Sequence, residues 1–455
     1  MTRPAEMFAK RTNWNLETNR LGAALAAHRA AGKPLIDLTV SNPTECGFHY
    51  NEEAILAALR NPAALKYEPN PRGLAVAREA VARYYAERAA PMRYAERREA
   101  GGVPFTPHAE RAAALQREAH GGATPHAAVV SIDDIFLTTS TSEAYSYVFR
   151  TLCDPDDEVV VPEPSYPLFG FLAEIQDVRL ARYPLVYDHG WQIDFHSLEQ
   201  AITPRTRGII VVHPNNPTGN FCKPDEMGKL NEICAARGLA IIADEVFLDF
   251  ALKENQAATF TANAVTFAAN SPANSAALKD ERAATFAGNP GALTFTLSGL
   301  SKICGLPQMK ASWLAVSGPD ALKGEALARL EVIADTYLSM NAPIQLALPA
   351  FLAERAQFQR ELMARVKENL HELDSQLAEQ KSCSRLVVEG GWNAVVRVPV
   401  IGSDEELALE LVQGRGVYVH PGHFYDFACV GYLVVSLIAP TQTFSEGVRR
   451  LLSTL

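Results

Sequence analysis

The run Ile209-Ile210-Val211-Val212 constrains this chain more than any other feature. Four consecutive β-branched residues favour extended backbone, and none offers a polar group to water, so the strand they form must be covered on both faces. Similar runs recur at intervals. Strands are expected at Ile135–Thr138, Glu158–Val161, Gly208–His213, Leu239–Ala243, Leu293–Leu297 and Ala311–Val316. Helical patterns fall at Ser142–Leu152, Pro224–Arg237 and Pro319–Met340. Alternation of this kind specifies an α/β architecture: a mainly parallel sheet with helices on both faces. The character changes past Pro343. A long helical stretch to Glu379 precedes strand-like Leu386–Val388, Ala394–Val398 and Tyr432–Ile438, with a helix at Asp404–Gln413, the mixed signature of an α+β domain.

A chain of 455 residues is too long for one simple core, and two domains are expected. Residues 1–50 are assigned to an N-terminal arm and part of the small domain, 51–330 to the large domain, and 331–455 to the small one. Arg88–Ala128 and Ala251–Asn289 lack periodicity and read as insertions on the surface. The net charge of −10 argues against nucleic acid or an anionic membrane as partner, but leaves an anionic small molecule open, because local charge decides that. Seven cysteines, odd in number and without a CxxC pair, suit free thiols in a reducing compartment and offer no zinc site. No apolar run approaches the ~18 residues of a spanning helix, and the polar start Met1–Glu6 lacks a signal peptide's apolar core. A soluble cytoplasmic protein is the expectation.

Five short motifs stand at the ends of the expected strands. Thr138-Thr139-Ser140-Thr141-Ser142 runs into a helix start, where free amides and hydroxyls make a phosphate cradle, or where Ser140 or Ser142 simply caps the helix. Tyr166, in Pro164-Ser165-Tyr166-Pro167, can stack on a flat ring or merely occupy a Pro-rich turn. Asn216, in Asn215-Asn216-Pro217-Thr218-Gly219, follows a buried parallel strand at the end where α/β sheets place ligands. Asp244 ends an apolar strand and is costly to bury without a cationic partner, unless it caps the next helix with Glu245 as a solvated neighbour. Lys302 follows Ser298-Gly299-Leu300-Ser301 just beyond another buried strand, where desolvation lowers an amine's pKa.

Taken in this order, the motifs resemble the class I/II aminotransferases, pyridoxal-phosphate enzymes of fold type I, and most closely their alanine-transaminase-like branch. Asn216-Pro217-Thr218-Gly219, Asp244-Glu245-Val246 and Ser301-Lys302 carry the resemblance, which covers nearly the whole chain from Asp37 onward. It implies pyridoxal 5′-phosphate as cofactor, held by Lys302 as a Schiff base, and transfer of an amino group between an L-amino acid and a 2-oxo acid. By the same resemblance Asp244 pairs with the pyridinium nitrogen, Asn216 holds the phenolic oxygen and Tyr166 stacks on the ring. Ser140, Thr141 and Ser142, with Ser298 or Ser301, hold the phosphate. Tyr67 reaches the phosphate of a neighbouring subunit, which implies a homodimer. Asn42, in Ser41-Asn42-Pro43, lies in the segment that lines the substrate mouth, and Trp392 shapes the side-chain pocket.

Three positions depart from the family pattern. Phe247 stands where a tyrosine usually donates to the phenolic oxygen, and Lys310 where an arginine usually forks onto the phosphate. Val434 aligns with the arginine that usually grips the substrate carboxylate, leaving Arg397 or Arg20 as candidates for that role. This third departure keeps a β-eliminating lyase, or other chemistry on the same fold, as an alternative. A non-catalytic cofactor-binding sensor is a further one. His420-Pro421-Gly422-His423 has metal-like spacing, but two histidines around a Pro-Gly turn without a third ligand read as structural or pocket-lining.

Overall fold

A computed structural model describes residues 7–89, 130–252, 284–338, 340–399 and 402–454. The two expected insertions fall mostly outside the described residues.

The large sheet contains β1 (Ile135–Thr138), β2 (Glu158–Glu163), β3 (Arg179–Tyr187), β4 (Trp191–Ile193), β5 (Thr206–Val212), β6 (Ala240–Asp244), β7 (Thr294–Gly299) and β8 (Ser312–Ser317). Their order across the sheet is β1-β8-β7-β6-β5-β2-β3-β4. β7, β6, β5, β2 and β3 are mutually parallel, and β1 shares their direction because both β1 and β7 pair antiparallel to β8. The apolar runs explain the burial. Ile209 to Val212 are all buried, as are Ala240 to Asp244, so helices cover both faces. One face packs Phe136, Val159, Val161, Ile210 and Ile242 against helices Thr141–Leu152 and Asp320–Tyr337 through Val148, Phe149 and Leu330. The other packs Val160, Ile209, Val211 and Ile241 against helix Pro224–Arg237 through Leu230 and Cys234. That helix begins with Pro224 at its first position and stops at Gly238, whose φ of 65° lies in the left-handed region that glycine tolerates.

The second sheet is antiparallel and contains β9 (Ser384–Arg385), β10 (Asn393–Arg397), β11 (His420–Pro421) and β12 (Tyr432–Ser436), in the order β9-β10-β12-β11. One face, carrying Ala394, Val396, Leu433 and Val435, packs on helices Ala342–Ala378 and Thr441–Leu452. The N-terminal segment joins this domain, since Ile36–Asp37 pairs in parallel with Val417–Tyr418. Helix Ala342–Ala378 has 37 residues, about 55 Å at helical rise, and joins both cores. Its Leu348 and Phe351 pack beneath the large sheet, and its Leu362 and Val366 under the small one.

Two expected elements differ. Leu386–Val388 is not a strand: Leu386 N still donates to Val395 O at 2.9 Å, but Val387 N turns to the Tyr187 hydroxyl at 3.2 Å, which draws the chain off the sheet. The helix from Asp404 ends at Glu410 and continues as a wider π turn over Leu411–Arg415, stopped by Gly416 at φ 62°. No helix among the described residues is long and apolar enough to cross a membrane.

Candidate active site

Because six strands share one direction, their carboxyl ends lie along one edge of the sheet. β7 leads to Lys302, β6 ends in Asp244, β5 leads to Asn216, β2 to Tyr166 and β1 to Ser140–Ser142. Motifs more than 160 residues apart in sequence therefore meet on one rim.

Lys302 sits in the short helix Leu300–Ile303 and is partly buried. Its Nζ lies 4.7 Å from the Trp392 ring centroid and 5.5 Å from that of Phe247, and the two rings meet edge to face at 4.8 Å. Burial among these rings pushes the amine down to about 8, while the charge of Asp244 pulls it upward. Asp244 is buried and accepts from Tyr145 Oη and Val246 N, both at 3.1 Å. Burial raises its carboxyl to about 6, against those two hydrogen bonds and the nearby Lys302. Tyr166 is partly exposed, and its phenol is pushed up by burial and, to a smaller degree, by the charge of Asp244.

The Asn216 amide is oriented across the domain boundary: Asn393 Nδ2 donates to Asn216 Oδ1 at 2.7 Å, leaving the Asn216 NH2 without an acceptor among the described residues. Close approach of the domains requires glycine here. Gly219 has φ 73°, and a Cβ on it would come within 2.7 Å of Gly390 O and 2.9 Å of Val388 Cγ1. At the edge of the rim, Ser140 caps helix Thr141–Leu152 by accepting from Glu143 N at 3.1 Å. Thr141, Ser142 and Ser301 are half-buried, and Ser298 Oγ donates to Glu245 O at 3.3 Å. Lys310 is exposed, with φ 52°, eight residues beyond Lys302. Tyr67 is 78% exposed beside a surface hollow that Leu65, Leu338 and Met340 also line.

Several expectations need correction. Arg397 does not enter this cluster: it is exposed at the far end of β10, about 13 Å of strand beyond Asn393, with its guanidinium 5.9 Å over the Tyr432 ring. Arg20 is likewise held away, paired with Glu405 at 3.7 Å with its side chain 66% exposed. Asn42, whose place at the substrate mouth these contacts leave open, accepts locally from Thr44 N and Oγ1 at 3.2 and 2.8 Å. Glu245 is not a solvated neighbour. It is 1% exposed, accepts from Thr285 Oγ1 and Phe286 N at 2.7 and 2.6 Å, and burial raises its carboxyl to about 7. Tyr145 and Asn393 were not singled out in sequence. Tyr145 looks like any core aromatic of an amphipathic helix, and Asn393 lies 177 residues from the side chain that it orients.

Comparison with known proteins bears on the family and the fold. Residues 76–443, more than half the chain, match the family model of aminotransferase class I and II. Glutamate-pyruvate aminotransferase AlaA of Escherichia coli strain K12 is 24% identical over 321 residues. That match covers 70% of this chain but only 64% of the relative, so the chain spans less than two thirds of that protein's length. Alanine aminotransferase of Mycobacterium tuberculosis strain H37Rv is 24% identical over 326 residues, covering 70% of each. Among solved structures, an aminotransferase from Escherichia coli superimposes with a TM-score of 0.75 at 20% identity over 98% of this chain and 97% of that one, a likeness of fold. With the family matched over most of its length and the fold shared along nearly all of it, the chain belongs to the class I and II aminotransferases.

Proposed function

We propose that this chain transfers an amino group between an L-amino acid and a 2-oxo acid, with L-alanine or L-glutamate and pyruvate as the first substrates to test. The names of its relatives, alanine and glutamate-pyruvate aminotransferases, support that choice. The observation that carries the reading is a buried carboxylate, Asp244, at the end of β6, beside an amine lowered by burial, Lys302, in the short helix that follows the neighbouring parallel strand β7.

These residues fit pyridoxal 5′-phosphate, the cofactor of the family. Bound there, it supplies the electron sink that stabilises negative charge at a substrate Cα. A carboxylate raised by burial gains from a protonated ring nitrogen, which Asp244 offers to hold, with Tyr145 and Val246 N fixing its orientation. The Asn216 NH2, turned outward by Asn393, is placed to donate to the phenolic oxygen. Tyr166, at the end of β2, would cover one side of the ring. Ser140 to Ser142 at a helix N-terminus, with Ser298, Ser301 and Lys310, supply hydroxyls, amides and one positive charge for the phosphate. Lys302 would hold the cofactor covalently, and its amine, lowered to about 8, would move the proton at the substrate Cα as both base and acid. Trp392 and Phe247 exclude water around it.

Assembly as a homodimer belongs to the same reading, supported by the exposed Tyr67, Leu65 and Leu338 around one hollow. Seven free thiols support a reducing, cytoplasmic setting. The test is a panel of amino donors added to the purified holoenzyme, read by the cofactor's absorbance and by oxo-acid release. Conversion with appearance of the matching oxo acid is expected. Release of ammonia in its place, or no conversion by any donor, overturns the proposal.

A further inference from the structure

Every substrate of the proposed reaction carries a carboxylate, which needs a cation or strong donors inside a cleft that excludes water. Arg397 and Arg20, the guanidinium groups suggested by sequence, are held elsewhere. The pairing of the small sheet offers another group. In β12, Val434 lies directly opposite Val395 of β10 on one side and His420 of β11 on the other. Directly opposed residues project from the same face, so Val395, Val434 and His420 share one face while Ala394, Val396, Leu433 and Val435 take the other. That other face is the small-domain core. The His420 face meets the large domain, since Val395 and Val434 pack with Val160, Tyr183 and Val211. His420 therefore emerges in the seam between the domains, one strand away from Val434.

Three side chains set the imidazole in place. Its Nδ1 lies 3.0 Å from Tyr425 Oη, and Tyr418 and Phe424 hold the ring with centroids at 5.6 Å. Tyr425 is tied to the Tyr166 loop, because Ser165 N donates to Tyr425 O at 3.0 Å. From the other side comes the segment after Ile36–Asp37, and the charge of Asp37 acts on His420 against the effect of burial. The second ring nitrogen, Nε2, has no hydrogen-bond partner among the described residues. We infer that His420, oriented by Tyr425, presents Nε2 to the carboxylate of the amino-acid and oxo-acid substrates. The inference rests on the aminotransferase reading above. A hydroxyl donated by Tyr425 to Nδ1 places the remaining hydrogen on Nε2, so the ring donates to the carboxylate oxygen as one prong where an arginine has two.

The test measures dissociation constants on the holoenzyme from the cofactor's absorbance. The probes are 2-methylalanine and 2-methylglutamate, which carry the carboxylate but have no Cα proton to lose. A simple alkylamine serves as the probe without a carboxylate. His420→Phe keeps the aromatic packing and should weaken the two amino acids about 10- to 100-fold, with the amine unchanged within about twofold. His420→Gln, which retains a donor, should recover part of the loss, and Tyr425→Phe should fall between wild type and His420→Phe. Equal affinities for the amino acids in wild type and His420→Phe overturn the inference. So does equal weakening of amino acids and amine, which marks a disturbed cofactor site, and so does a wild type that binds neither amino acid. The aminotransferase reading fails separately, when wild type converts no amino donor.

Discussion

Lys302 and Asp244 act on one another's protonation in opposite senses, the carboxylate raising the amine and the ammonium lowering the carboxyl. Burial holds the lysine amine in its neutral form down to about pH 8, while the Asp244 charge works in the opposite direction. Covalent loading of the cofactor needs the neutral amine, so its rate should rise as pH climbs through about 8. Asp244→Asn removes the upward pull, so the midpoint should move to lower pH. Mixing apoenzyme with pyridoxal 5′-phosphate between about pH 6 and 10 and following absorbance checks this, and an unmoved midpoint contradicts the coupling. Lys302→Ala should leave no borohydride-stable adduct and lower turnover by at least about 10³-fold, measured in the half-reaction with the best donor. Phe247 sits 5.5 Å from the same amine without a hydroxyl. Phe247→Tyr should add a donor beside the cofactor and shift the pH midpoint of its visible absorbance downward.

Single elements show where local sequence was sufficient. Helix Pro224–Arg237 is legible to the residue in the sequence because proline and glycine punctuate it by backbone geometry alone. Leu386–Val388 is ambiguous in sequence because its apolar pattern is equally served by a buried coil, and in the fold the Val387 amide goes to the Tyr187 hydroxyl, far away in sequence, in place of a strand partner. The turn that follows His420 depends on a similarly remote contact. Asp404, buried at the start of its helix, accepts from Gly422 N and Gly431 N at 3.1 and 3.3 Å. Asp404→Ala strands those two amides and should cost about 1–3 kcal/mol, seen as a lower urea midpoint at unchanged slope.

On the scale of the whole molecule, the proposed dimer predicts a light-scattering mass near twice 49.5 kDa. It also predicts that Tyr67→Ala loosens cofactor retention while Lys302 still forms its adduct; a fully active monomer would remove Tyr67 from the site. The motifs themselves were readable one by one, because turn chemistry at a strand end and burial of a charge are local matters. Their convergence was not. Asn216 finds Asn393, Asp244 finds Tyr145, and Val434 faces His420 only through strand order and register. By itself the sequence determined which segments extend, which coil into helices, and which side chains are too polar to be buried without partners. Tertiary structure alone decided who those partners are, since one direction shared by six strands brings distant strand ends to one rim, and a cross-strand pairing puts an imidazole beside a position that an apolar side chain has left without charge.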